Sequence, residues 1–145
     1  MARLAGMRGS IVALAVLAAT GAGARDISAE PDALSGEWAG IYRCVQGQTA
    51  VVVALTLEAG GTVSGTFTFG NLPGRSNAKD GKYRLVGTFD EKAGKLTLRP
   101  DGWIDQPEGY MQVGFAADLD RDAERFIGRI EAQGCSTIVI EKSPN

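Results

Sequence analysis

From Thr62 onward the side chains alternate. Val63, Gly65, Phe67 and Phe69 fall on one face, and Ser64, Thr66 and Thr68 on the other. A period of two is the signature of a β-strand. A strand that alternates this cleanly has one face to bury and one to leave in water, as in an antiparallel sheet. The pattern returns in Tyr83, Leu85, Gly87 and Phe89 against Lys82, Arg84 and Thr88, and again in Leu96 and Leu98 against Lys95, Thr97 and Arg99. No segment sustains a helical period. Glycine-containing or charged turns divide the chain into eight expected strands at residues 37–45, 49–58, 62–69, 82–90, 95–99, 110–118, 124–132 and 135–141.

Eight consecutive antiparallel strands predict an all-β fold, an eight-stranded antiparallel up-and-down β-barrel, because closure removes the edges that an open sheet exposes. A two-sheet β-sandwich is the alternative, since strand count alone does not separate the two. Cys44 and Cys135, the two cysteines of the chain, fall in the first and last expected strands. These strands become neighbours when the sheet closes, so a Cys44–Cys135 disulfide would seal the seam. The chain-entropy argument gives a loop this long about 4–5 kcal/mol as an upper figure.

The first residues have the pattern of a secretory signal. Arg3 and Arg8 open it, residues 11–19 are apolar, and Ala22, Gly23 and Ala24 form a small-residue cleavage site. The apolar run is too short to cross a bilayer as a helix, and no cysteine stands near the cleavage site to take a lipid. The expected organisation is a signal peptide at 1–24, a disordered N-terminal tail at 25–35 and a barrel domain at 36–142. Loss of Arg3 and Arg8 from 15 basic residues leaves 13 against 17 acidic ones, a net charge of −4, which disfavours nucleic acid and anionic membranes as partners. No membrane insertion is expected after signal cleavage. The localisation expected is periplasmic or secreted, from a bacterium, and an oxidising compartment agrees with the disulfide.

In a meander, odd-numbered connections emerge at one end and even-numbered ones at the other. The even connections are short, whereas the two long ones, 70–81 and 100–109, are both odd. One end is therefore closed by tight turns and the other carries both long loops, where binding residues concentrate. Trp103, Tyr110, Asp105 and Gln106 in one loop, with Arg75 and Asn77 in the other, are the candidate ligand- or partner-binding residues. Trp103 has two readings: an exposed anchor for a sugar or protein partner, or a lid over the barrel mouth, with Pro100 and Pro107 stiffening its loop.

Three stretches resemble a known family: Gly36 to Tyr42 with Trp38, Gly61 to Phe67, and Tyr83 to Asp90 look like the first half of an avidin-type barrel. The Gly-x-Trp at the first strand is also similar to lipocalins, so the resemblance as a whole is to the calycins. It covers the first half of the mature chain and implies an up-and-down barrel with Trp38 plugging its closed end. Avidin's ligand chemistry does not carry over, because Gly40 stands where avidin has a polar residue and Phe67 replaces the pocket tyrosine. The later pocket residues have no counterpart in Leu96, Thr97 and Leu98 or in Met111, Gln112 and Val113. A site that has lost its buried donors loses most of its affinity. Tyr42, Arg43 and Cys44 are also faintly similar to a lysozyme-inhibitor family whose later motifs are absent.

With no histidine in the chain, histidine-based triads and histidine metal ligands are excluded. Asp101, Asp105 and Glu108 are the carboxylates closest to an acid/base pair, but acids in a solvent-facing loop are usually only solvated. No enzymatic activity, no catalytic residue, no metal and no cofactor is expected. The acidic run from Asp118 to Glu124 departs from a calcium loop at Ala123 and Arg129 and reads as a hairpin. The inward set Val51, Val53, Leu55, Leu57, Val63, Phe67, Phe69, Leu85, Phe89, Leu96, Leu98, Val113 and Phe115 either fills the barrel or lines a cavity. Filling is the expectation for eight strands, with any cavity at the open end, where Gly40, Gly65 and Gly87 would leave room. The reading is an exported β-barrel binding module that takes a small apolar or amphipathic molecule, or an exported protein, at the end formed by the long loops. An inhibitor of a protease or lysozyme acting through the same loops is the alternative.

Overall fold

A computed structural model of the protein describes residues 32–144, so the expected signal peptide and most of the tail lie outside the described residues. Eight strands follow in order: β1 (Gly36–Cys44), β2 (Gly47–Leu57), β3 (Thr62–Gly70), β4 (Gly81–Asp90), β5 (Lys95–Asp105), β6 (Phe115–Asp120), β7 (Arg125–Ile130) and β8 (Thr137–Lys142). Each pairs antiparallel with the next, and β8 pairs with β1, which closes the barrel. The closed ladder excludes the two-sheet sandwich. Cys44 and Cys135 are joined by a disulfide beside the β1–β8 seam. That bond is compatible with an oxidising, exported location.

The interior is filled. Every expected inward residue is fully buried except Leu57, which is half-buried, and Trp38, Tyr42, Tyr83, Phe126, Ile130, Ile138 and Ile140 join them. At the closed end Trp38 is buried, its ring centroid 4.7 Å from that of Phe126 and its Nε1–H donating to the Leu34 carbonyl at 2.8 Å. The last four residues of the expected tail, 32–35, fold onto this end. Leu34 is completely buried, the Ser35 hydroxyl accepts from Leu57 N–H at 2.9 Å, and the Asp32 carboxylate accepts from Leu34 N–H and from Ser35. Burial raises the Asp32 pKa, but the Ser35 and Leu34 hydrogen bonds outweigh it and hold the carboxyl below its usual range.

The strand glycines do not leave room for a cavity. A Cβ at Gly40, Gly65 or Gly87 would overlap the carbonyl oxygen of Val139, Ala54 or Thr97 on the neighbouring strand. At these positions the strand bends and another backbone comes close, which only glycine permits. The space expected there is occupied by main chain.

The largest departure from the expected strands lies at β5. It runs on through Pro100 to Asp105, so the expected loop 100–109 is strand for more than half its length and the long odd connections are 71–80 and 106–114. Pairing of β5 with β6 stops at Leu98 opposite Phe115. Beyond it stands Pro100, which has no N–H to offer a further neighbour and belongs on a strand edge. On the β4 side, Leu85 pairs with Pro100 but Tyr83 with Trp103, so β5 has one extra residue there, with Gly102 at φ 109°. This bulge reverses the alternation. Trp103 would point outward in a regular strand; instead its ring packs 5.3 Å from Tyr83 and 6.2 Å from Phe69.

Gly87→Ala should destabilise the barrel by about 2–3 kcal/mol, lowering Tm by on the order of 10 °C, because neither backbone can retreat. A thermal melt that moves by less than about 2 °C would contradict the close packing described.

Candidate functional site

The parting of β5 from β6 makes the open end of the barrel. The 106–114 connection fills part of the gap, and Tyr83 holds it there, donating its hydroxyl proton to the Val113 carbonyl at 2.7 Å and accepting from Val113 N–H at 3.0 Å. Gln112 accepts from Gly102 N–H at 2.9 Å through its side-chain oxygen. One tyrosine hydroxyl thus does the work of a missing strand neighbour. Tyr110 then stacks on Phe69 at 5.5 Å and 15°, its hydroxyl accepting from Lys79 N–H at 3.0 Å, so the two long connections meet over this half of the mouth.

The other half stays open. Between the β1–β2 turn, residues 109–111 and residues 132–135 lies a pocket of about 230 Å³. Tyr42, Tyr83 and Val113 line it deep in the barrel, and the Cys44–Cys135 disulfide and Ala132 line its side. Val45 and Met111 stand at its rim, 86% and 69% exposed, with Gln46 and Gln133 as polar neighbours. All three tyrosines of the chain line this pocket. Below it sits Thr49, fully buried, whose hydroxyl donates to the Gly47 carbonyl at 3.2 Å and accepts from the Gln46 amide at 3.1 Å. The same amide donates to the Tyr42 hydroxyl at 3.3 Å. Burial, with a smaller contribution from Tyr110, pushes the Tyr42 phenol well above its ordinary pKa, and the Gln46 and Thr49 hydrogen bonds offset only part of this. Burial does the same to Tyr83. Both phenols are therefore neutral donors at any ordinary pH.

Of the residues expected to bind, Tyr110 alone lines this pocket. Trp103 lies beside it against Phe69 and Tyr83, half-buried, in the position of a lid support. Asp105 and Lys82 are paired across β5 and β4, and both line a shallow groove on the outside of the barrel together with Asp80. Arg75 donates to the Gln48 side-chain oxygen at 2.7 Å rather than to the acids of the other connection. Gln106 and Asn77 are exposed, as are Asp101 and Glu108. No group of three or more acids or cysteines able to hold a metal ion is found among the described residues. The run from Asp118 to Glu124 forms the β6–β7 hairpin, with Asp118 ion-paired to Lys95 at 3.3 Å.

The pocket residues that sequence reasoning missed include Tyr42, Val45, Gln46, Tyr83, Met111, Ala132 and Gln133. The signal was present in the count of connections. The first and seventh are odd as well, so residues 45–46 and 131–136 emerge at the same end as the long loops, with the disulfide between them.

The two buried tyrosines differ in what they hold. Tyr83→Phe leaves the Val113 N–H and carbonyl without the partner that spans the gap, and should cost about 1–3 kcal/mol. Tyr42→Phe removes only side-chain partners, the long hydrogen bond from Gln46 and the one with Thr49, and should cost less, about 1 kcal/mol. Equal losses in chemical denaturation of the two variants would contradict the division of roles.

No protein family, curated protein sequence or solved structure matches this chain.

Proposed function

We propose that this chain is an exported binding module, a small calycin-like barrel that takes a small apolar or amphipathic molecule at its open end. The observation that carries the reading is the pocket beside the disulfide, with apolar walls, a polar floor and exposed apolar groups at the rim. Few polar groups among many apolar ones is the usual make-up of a small-molecule site. The filled interior below Tyr42 and Tyr83 limits the site to the mouth. At about 230 Å³ it is smaller than the ~300–1,000 Å³ of pockets that enclose drug-sized ligands. It therefore suits a single substituted ring or the end of a larger molecule.

Export rests on the pattern of Arg3, Arg8 and the apolar run before Ala24, with cleavage after Ala24 and release to the periplasm or medium of a bacterium. No catalytic role is assigned to Asp101, Asp105 or Glu108, whose exposure gives them the solvation of ordinary surface acids.

A second reading follows from the rim. Val45 and Met111 are exposed beside a pocket of side-chain size, and an exported protein that inserts one side chain there would find an apolar contact ring. An inhibitor of a protease or lysozyme would work in this way.

Native mass spectrometry of the protein purified from its exporting cells separates the two. The small-molecule reading expects an intact mass cut after Ala24, plus a bound mass below about 500 Da that is lost on denaturation and absent from an Ala132→Phe variant with the pocket filled. A bare protein that instead captures an exported protein, with capture lost in Met111→Asp, would overturn it in favour of the inhibitor.

A further inference from the structure

The hydrogen bonds at the floor of the pocket run in one direction. Thr49 is fully buried and its hydroxyl has a single proton, which goes to the Gly47 carbonyl at 3.2 Å. Its oxygen is left only to accept, and it does so twice, from the Tyr42 hydroxyl and from the Gln46 side-chain nitrogen at 3.1 Å. Tyr42, its proton given to Thr49, accepts from the same Gln46 nitrogen at 3.3 Å. Tyr83 is closed as well, giving its proton to the Val113 carbonyl and accepting from Val113 N–H. The deep hydroxyls therefore have nothing left to offer a ligand.

Only one orientation of the Gln46 amide satisfies these bonds. Turned over, it would set its oxygen against the Thr49 oxygen with no proton between them. Both protons of the amide go inward, to Tyr42 and Thr49, and its oxygen stands on the other side, away from the buried hydroxyls. Gln46 lines the pocket, and no hydrogen bond among the described residues uses that oxygen.

We propose that Gln46 is the specificity residue of the pocket and that the ligand is an uncharged molecule with a compact ring or apolar body and an N–H or O–H that it donates to the Gln46 side-chain oxygen. The inference rests on the open-end pocket being the binding site. Polarity follows from the fixed amide, which presents an acceptor. Charge follows from the walls: none of the residues lining the pocket is charged, so an ammonium or a carboxylate would lose its hydration without gaining a counter-charge. Shape follows from Tyr110, whose ring is held by Phe69 and by Lys79 N–H at its hydroxyl, and from Met111, exposed and flexible enough to close over what enters. Gln46 itself is half-buried, and a ligand seated beside it screens the new bond from water, which strengthens it.

Three molecules of one outline test this: indole, which has an N–H to donate, benzoxazole, which has an acceptor nitrogen and no donor, and indene, which has neither. Each is titrated at pH 7 into the wild-type protein, Gln46→Met and Thr49→Val, with Kd read from chemical-shift changes of the Met111 and Ala132 methyl groups. The wild type should bind indole about 3- to 10-fold more tightly than benzoxazole, the range expected of one net hydrogen bond. In Gln46→Met that preference should fall to within about twofold, with indene little changed. Thr49→Val should reverse it: without the Thr49 oxygen the Tyr42 proton goes to the Gln46 oxygen, the amide turns over to present its nitrogen, and benzoxazole becomes the tighter ligand. A wild type that favours benzoxazole, or an indole preference kept in Gln46→Met or in a folded Thr49→Val, would overturn the assignment while leaving the pocket in place. Gln46→Met decides alone if Thr49→Val does not fold. No shift with any of the three at millimolar concentration would overturn the open-end site itself.

Discussion

β1 and β8 hydrogen-bond to each other from Trp38 opposite Lys142 to Tyr42 opposite Ile138, and this ladder is what turns a meander into a barrel. Without it the sheet would present two long edges. With it, the inward residues of all eight strands meet one another, and Trp38, Phe67, Tyr83, Phe115 and Phe126 are all buried to within 1% exposure. Closure at this size is also what demands glycine at positions 40, 65 and 87, because the strands must bend sharply enough for one backbone to touch the next. The Cys44–Cys135 bond fastens the seam just beyond the last ladder pair, at the end where the strands begin to separate.

The site follows from the early end of the β5–β6 ladder. β5 and β6 part after Leu98 and Phe115, where Pro100 has no N–H to give. The bulge that follows turns Trp103 inward against Tyr83, and Tyr83 in turn grips Val113, so the gap is covered by side chains rather than by strand. Those side chains cover only half of the mouth. The uncovered half lies next to the disulfide, and there Tyr42 and Cys44, on the inward face of β1, line the pocket. Closure and opening are thus two consequences of the same register: every strand pairs with its neighbour around the barrel, and the β5–β6 pairing ends early at Leu98 opposite Phe115.

Much of the barrel was legible in the residues. Alternation in Val63 to Phe69 and in Leu96 to Leu98 fixes strand and face together, and the position of the two cysteines at opposite ends of the strand series argues for closure. What was not legible depends on pairings between distant strands. Pro100 reads as the end of a strand, because its cost is clear and its tolerance on a one-sided edge is visible only when the β6 neighbour is known to have stopped. Trp103 reads as loop-borne, an exposed anchor or a lid, since a bulge is set by the register against β4 and leaves no local mark other than Gly102. Gly40, Gly65 and Gly87 read as spare volume for the same reason: the carbonyl that occupies the space comes from another strand. At the site, the longest connections are the local signal for binding residues, and Arg75, Asn77 and Asp105 of the expected loops lie outside the pocket. The short first turn with Gln46 and the seventh with Gln133 emerge at the same end and line the pocket.

The central claim is that the mouth beside the disulfide is a ligand site and not an incidental gap in packing. A crystal structure of the protein purified from its native cells tests it most directly. The account predicts a bound molecule in the space between Tyr42, Tyr110 and Met111. An empty mouth, with Met111 folded into it, would contradict the claim.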